Sequence, residues 1–226
     1  MIELWIPITI LAAFSQNLRS ALQKHLKSRL STAGATYVRF FYAVPFAFLY
    51  LFILNQFFYL PLPEPNANFI IFGIIGGGTQ ILATALLVYL FSFRNFAVGT
   101  AYSKTETAQT AVFGLIILGD PLTPGAIIGI MISLVGVMAI STARQENGLK
   151  NIIQSLSQKT ALIGLASGAM FGMSAISYRA ASLSLGGEGV VIQAAYTLAC
   201  VTVFQTLIMT VYLQVKEKGE VINVLK

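Results

Sequence analysis

Charge is scarce in this chain: Asp, Glu, Lys and Arg make up 10% of 226 residues, against roughly 25% in a soluble globular domain. With hydrophobic residues at 56% and a mean hydropathy of +0.78, most of the surface cannot face water. Sulfur and imidazole chemistry are scarce too. The single cysteine, Cys200, lies in an apolar run, which excludes a disulfide framework and a thiolate metal site. The single histidine, His25, sits in a basic loop, so a zinc or Ser-His-Asp enzyme lacks its parts. Gly76-Gly77-Gly78 has no Gly-Lys-Ser/Thr after it, so no nucleotide-binding loop is present. No cofactor is expected. The formal net charge is +6, but the basic residues separate apolar segments instead of clustering as in a nucleic-acid binder. No nucleic-acid partner is expected.

Apolar runs long enough to cross a bilayer dominate what is there. The expected fold is an all-α, multi-pass helical bundle of about seven transmembrane helices. The expected spans are Leu4–Leu22, Thr36–Leu54, Phe69–Phe91, Phe96–Leu118, Pro124–Ser141, Thr160–Ser182 and Gly189–Leu213. Pro61-Leu62-Pro63-Glu64-Pro65 cannot continue a helix, and Gly119-Asp120-Pro121-Leu122-Thr123-Pro124 is a tight turn joining antiparallel neighbours. The first span has neither a basic leader nor a small-residue cleavage site and reads as a retained helix. The loop Thr142 to Lys159 carries Ile152, Ile153 and Leu156, which suits either a short interfacial helix or a polar linker.

Basic residues favour one set of loops. Lys24, Lys27 and Arg29, then Arg94, then Arg144, Lys150 and Lys159, then the tail Lys216, Lys218 and Lys226 follow the odd-numbered spans. The other side offers Glu3, Glu64, Asp120 and Glu188. The positive-inside rule therefore places the odd-numbered loops in the cytosol and the N-terminus outside.

A weak internal repeat is visible. Ala12 to Ala21 lies over Gly172 to Ala181 without a gap, matching Arg19 to Arg179, and Phe41-Tyr42-Ala43 resembles Ala195-Tyr196-Thr197. A repeat of five helices enters the membrane inverted in its second copy, a common plan for secondary transporters. Ala111 to Gly125, then Gly129 and Leu134-Val135-Gly136-Val137, resemble the end of a repeat in the drug/metabolite transporter superfamily, EamA type. Arg39-Phe40 and Trp5 also suit that resemblance. Asp120 stands where the family usually has Glu, and Glu106-Thr107 where it often has a proline.

The resemblance implies a five-helix repeat over residues 1–141, a cytosolic linker at 142–159, and the first two helices of a second repeat at 160–226. Since the family has ten helices, it also implies three more beyond Lys226. The expected setting is a bacterial cytoplasmic (inner) membrane.

Ionisable residues inside a span are functional candidates by default. Span four holds Lys104 and Glu106, about 200° apart around a helix and so unable to pair on one face. Tyr102, Glu106 and Thr110, with Gln109 beside them, form the expected substrate stripe. Glu106 is the candidate proton-coupling carboxylate and Lys104 the candidate anchor for a substrate carboxylate; the alternative is that both fix helix packing. Gln16 and Asn17 in span one, and Gln80 beside the three glycines of span three, are polar candidates for ligand or for interhelical bonding. Gln193, Gln205, Ser177 and Tyr178 are further ones, while Arg39 and Arg179 read as snorkelling residues at span ends. Gly164, Gly168 and Gly172, and Gly125 with Gly129, make small faces for close packing, within the chain or in a homodimer. The sequence reads as a secondary transporter, in the export direction, of a small polar or amphipathic metabolite such as an amino acid. The alternative is a membrane scaffold that packs through its glycine faces.

Overall fold

A computed structural model describes residues 5–93, 96–143, 159–187 and 189–225. The fold is all-helical, with no strand among the described residues. In chain order the helices are α1 (Trp5–Leu26), α2 (Thr32–Phe41), α3 (Ala43–Phe57), α4 (Ala67–Leu90), α5 (Phe96–Ser103), α6 (Glu106–Phe113), a π-helical segment (Gly114–Leu118), α7 (Pro124–Ala143), α8 (Lys159–Ser184), α9 (Val190–Lys216) and α10 (Glu220–Leu225). Four stretches are long and apolar enough to span a bilayer: Thr32–Phe57, Ala67–Leu90, Lys159–Ser184 and Val190–Lys216. In α7 the apolar stretch is the shorter Pro124–Val137. This is a multi-pass integral membrane protein. The proposed interfacial helix around Ile152, Ile153 and Leu156, together with Arg94, Arg144, Lys150, Glu3 and Glu188, lies outside the described residues.

Helix ends follow local chemistry. The Ser31 hydroxyl accepts from the Gly34 amide (2.9 Å) at the start of α2, and the Asn66 side chain accepts from the Phe69 amide (2.8 Å) at the start of α4. Pro124 takes the first position of α7 behind Thr123, whose hydroxyl accepts from the Ala126 amide (3.2 Å). The π-helical segment ends at Gly119, whose φ of 69° places it in the left-handed region that suits glycine. The Asp120 amide then bonds back to the Gly114 carbonyl (3.2 Å).

Two expected spans are interrupted. The second breaks at Tyr42 between α2 and α3, because Pro45 has no amide hydrogen to give the Phe41 carbonyl. The fourth, expected as one helix over Phe96–Leu118, is divided by a turn at Lys104 and Thr105. There the amides of Lys104 and Thr105 reach back only three residues, to Ala101 (3.0 Å) and Tyr102 (3.1 Å). Hydroxyls compete for the same carbonyls: Ser103 donates to Thr100, Thr105 to Tyr102, and Thr107 to Lys104. The uninterrupted i, i+4 stripe of Tyr102, Glu106 and Thr110 is therefore lost.

The interior is built of small and polar side chains. Ala35, Thr36, Ala83, Thr84, Ala161, Ser167 and Ala181 are fully buried, whereas Phe46, Phe52, Phe57, Ile116 and Ile132 are exposed on the outer surface. α4 and α8 form the central pair, joined by the Ser167 hydroxyl donating to the Ala83 carbonyl (2.9 Å). Gly76 lies against Tyr178 and Gly77 against Phe204, so the triple glycine of α4 is a site of close approach in a helix that stays continuous.

Candidate functional site

A cavity of about 790 Å³ opens between α2, α4, α8 and α9, with α1 contributing Arg19. Its polar centre is a triangle of side chains from three helices. The Tyr178 hydroxyl donates to Gln80 Oε1 (2.9 Å). Gln205 Nε2 lies 2.8 Å from the same oxygen and 2.9 Å from the Tyr178 hydroxyl, and 3.2 Å from the Gly77 carbonyl. Gln205 is 1% exposed, so leaving its amide unpaired would be costly. Gly76 and Gly77 of α4 are what let Tyr178 and Phe204, the neighbour of Gln205, come this close to the helix.

Three guanidinium groups face the same space: Arg19, Arg39 and Arg179 all line it. Arg39 donates to the Thr84 hydroxyl (2.7 Å), and its guanidinium carbon lies 5.5 Å from the Phe40 ring centre and 5.6 Å from that of Phe171. Thr84 in turn donates to the Gln80 backbone carbonyl (2.8 Å), which fixes Arg39 to α4 beside the triangle. Arg179 forms an ion pair with Asp120 of the turn before α7. Phe40, Leu183, Leu198 and Val201 supply apolar wall.

One end of the bundle is packed shut. Phe40, Tyr37, Val88, Met209, Leu213 and Val224 form one apolar cluster there. Ser31 caps it: its hydroxyl bonds to Glu217 and its amide donates to Glu220 Oε1 (2.5 Å). The Tyr42 hydroxyl donates to the Val224 carbonyl (3.3 Å), which holds α10 against α2.

The residues singled out from sequence divide between this cavity and other places. Gln80 and Tyr178 line it. Lys104 is exposed in the α5–α6 turn, and Glu106 is half-buried at the first position of α6. Glu106 feels the charges of Lys104, Arg39 and Arg19 without closing an ion pair with any of them among the described residues. Tyr102 is buried. Gln109 donates to the Thr105 hydroxyl (2.8 Å), while its carbonyl oxygen is buried without a partner among the described residues. Thr110 packs against Gly172. Gln16 is half-buried and Asn17 exposed on α1. Gln193 donates to the carbonyls of Gly186 (2.7 Å) and Gly187 (3.2 Å), so it braces the α8–α9 turn instead of entering the cavity.

The glycine faces also divide. A side chain at Gly164 would strike the Gly99 carbonyl, at Gly168 the Ser103 carbonyl (2.9 Å), and at Gly172 Thr110 (3.0 Å). The α8 ladder therefore seats the broken helix pair α5–α6. Gly125 and Gly129 have nothing within 4 Å among the described residues.

Arg39 and Arg179, which read as snorkelling residues from sequence, and Arg19 line the cavity. A signal was present: Arg19 and Arg179 fall opposite each other in the internal repeat, and both reach this cavity.

A profile of the EamA-like transporter family matches residues 3–142, more than half of the chain. The chain belongs to the EamA-like transporter family. That family, a family of membrane transporters, is part of the drug/metabolite transporter superfamily. No curated protein and no solved structure matches the chain.

Proposed function

We propose that this EamA-like protein is a secondary transporter that exports a small polar or amphipathic metabolite, such as an amino acid, by alternating access. One observation carries the reading: a cavity of about 790 Å³ inside the helical bundle, with a hydrogen-bonded polar centre contributed by α4, α8 and α9. A polar cavity between membrane helices is where such transporters hold their substrate. With the odd-numbered loops in the cytosol, the end closed by Ser31, Glu217 and α10 faces the cytosol. A bacterial cytoplasmic membrane is the proposed setting.

The test is flux. Proteoliposomes loaded with an unlabelled amino-acid mixture should accumulate external labelled amino acid by counterflow, saturably, and Gln80→Leu should reduce the rate at least about tenfold through loss of the site's hydrogen bonds. Absence of saturable counterflow for every class of small metabolite tried would refute the reading.

Proton coupling is assigned to Glu106, which sits at the helix break inside the bundle and lacks an ion-pair partner among the described residues. Glu106→Gln should leave counterflow largely intact and flatten the dependence of net transport on an imposed pH gradient. A gradient response unchanged in this variant would remove Glu106 from the coupling. A second reading, a scaffold or homodimer built on the open glycine face of α7, is favoured by the empty space at Gly125 and Gly129. It predicts that Gly129→Leu changes the oligomeric state.

A further inference from the structure

The cavity is richer in positive charge than a site for a neutral solute needs to be. Of its three guanidiniums, only that of Arg179 has a carboxylate partner, Asp120, among the described residues. Arg19 makes no hydrogen bond there, and its Nε is buried without an acceptor. Arg39 lies inside the span Thr32–Phe57 and has one hydroxyl and two ring faces as its company. The two are close enough to repel each other, and Glu106, which attracts both, is outside the cavity lining. Charges at membrane depth are normally paired or face a site, because desolvating them alone is expensive.

One neighbouring polar group, the Gln80 amide, presents hydrogens as well. Gln80 Oε1 already accepts from Tyr178 and Gln205, which leaves the Gln80 amide NH₂ as its remaining hydrogen-bonding group. The hydroxyls of Thr197 and Thr202 are engaged with carbonyls of their own helix. A site of two guanidinium groups with no carboxylate partner among the described residues and an amide donor, walled by Phe40, Leu183 and Val201, is complementary to an anionic head on an apolar body.

We propose that Arg19 and Arg39 form an anion-binding subsite of this cavity, so that its occupant carries a carboxylate or phosphate group on an apolar frame. This inference rests on the transport reading for its physiological meaning, but the site it names is tested by binding alone. Two sources offer that chemistry: a water-soluble amphipathic acid and an anionic lipid of the surrounding leaflet.

The probes are N-acetylphenylalanine and its neutral amide, matched in shape and differing in charge, measured by equilibrium binding to the full chain in phosphatidylcholine nanodiscs. The carboxylate should bind about ten- to a hundredfold more tightly than the amide, the usual range for a hydrogen bond to a charged group. Arg19→Gln and Arg39→Gln should each bring that ratio to within about twofold, and Arg39→Lys, which keeps charge but not the fork, should retain part of it. Equal binding of the two probes, no binding of either, or a ratio unchanged in both Gln variants overturns the proposal.

If the Gln variants fail to fold, the wild-type protein still decides. Phenylglyoxal modification of Arg19 and Arg39, read by peptide mass spectrometry, should be slowed by the carboxylate and not by the amide; lack of such protection overturns the proposal. Adding phosphatidylglycerol to the nanodiscs separates the sources: competition with the carboxylate marks a lipid occupant, and its absence a soluble one. Anion preference without flux in proteoliposomes would remove the transport reading and keep the subsite. Flux of neutral solutes without anion preference would do the reverse.

Discussion

Gly164 and Gly168 on α8 have the same four-residue spacing as Gly125 and Gly129 on α7, yet their surroundings are opposite. On α8 the glycine face lies against the backbone of α5 and the α5–α6 turn, so tightly that an added Cβ would meet carbonyl oxygens. On α7 the same pattern faces open space among exposed Ile128, Met131 and Ile132. The spacing makes a smooth face; what lies against it decides what the face does. On α8 it allows an interrupted helix to sit beside the central pair, and the interruption is where Glu106 is placed. On α7 it is available to lipid or to a second protomer.

The sharpest way to break this comparison is to place the same side chain on both faces. Gly164→Leu should destabilise the fold by about 3 kcal/mol or more, because the obstructing atom is backbone and cannot rotate away. Gly129→Leu should stay within about 0.5 kcal/mol for the single chain. Thermal melting followed by size-exclusion chromatography reads both. Equal losses would mean that α7 is as tightly packed as α8. A shift of Gly129→Leu from dimer to monomer without loss of folded protein would show that a second copy covers that face.

Next in size is the polar triangle that depends on the α4 glycines. Gln205→Leu removes the donor shared by Gln80, Tyr178 and Gly77. It should cost about 1–2 kcal/mol of stability, the upper range for interhelical hydrogen bonds in a membrane. Counterflow should fall by more than the loss of folded protein explains. A parallel fall in both would assign Gln205 to packing alone.

The smallest effect is expected at the closed end. Burial acts to raise the Glu220 carboxyl, but hydrogen bonds from the Ser31 amide and Asn223, with the charge of Lys27, outweigh it and hold the group below its ordinary 4.5. A carboxylate with a lowered folded value contributes stability above its unfolded value and loses it as pH falls through the folded one. The α10 amides should therefore keep their protection at neutral pH and lose part of it below about 4.5. Hydrogen exchange corrected for intrinsic rate measures this. Protection unchanged across that window would detach Glu220 from the closure.

Much of the scaffold was legible in sequence because it rests on local rules. Thr123-Pro124 and Gly119 mark helix ends through their own side chains or backbone freedom. The break in the fourth span was less visible. Tyr102, Glu106 and Thr110 read as one stripe of a continuous helix, whereas Ser103, Thr105 and Thr107 act together to draw off the carbonyls that continuation needs. The cavity was legible only in part. Gln80 and Tyr178 were candidates as polar groups deep in spans, but Arg39 and Arg179 near span ends read as snorkelling residues. Which way an arginine turns depends on the helix packed beside it: Thr84, Phe171 and Asp120 hold these two where they are, and none of the three is near in sequence.

The central claim is that this cavity is a transport site reached in turn from each side of the membrane. Its most direct test is side-specific labelling of Thr202→Cys, a cavity position, with the native Cys200 replaced by Ser. A membrane-impermeant thiol reagent applied to right-side-out and to inverted vesicles should reach the new cysteine from both faces. Labelling from one face alone, in both vesicle types and at any pH gradient, would contradict alternating access through this cavity.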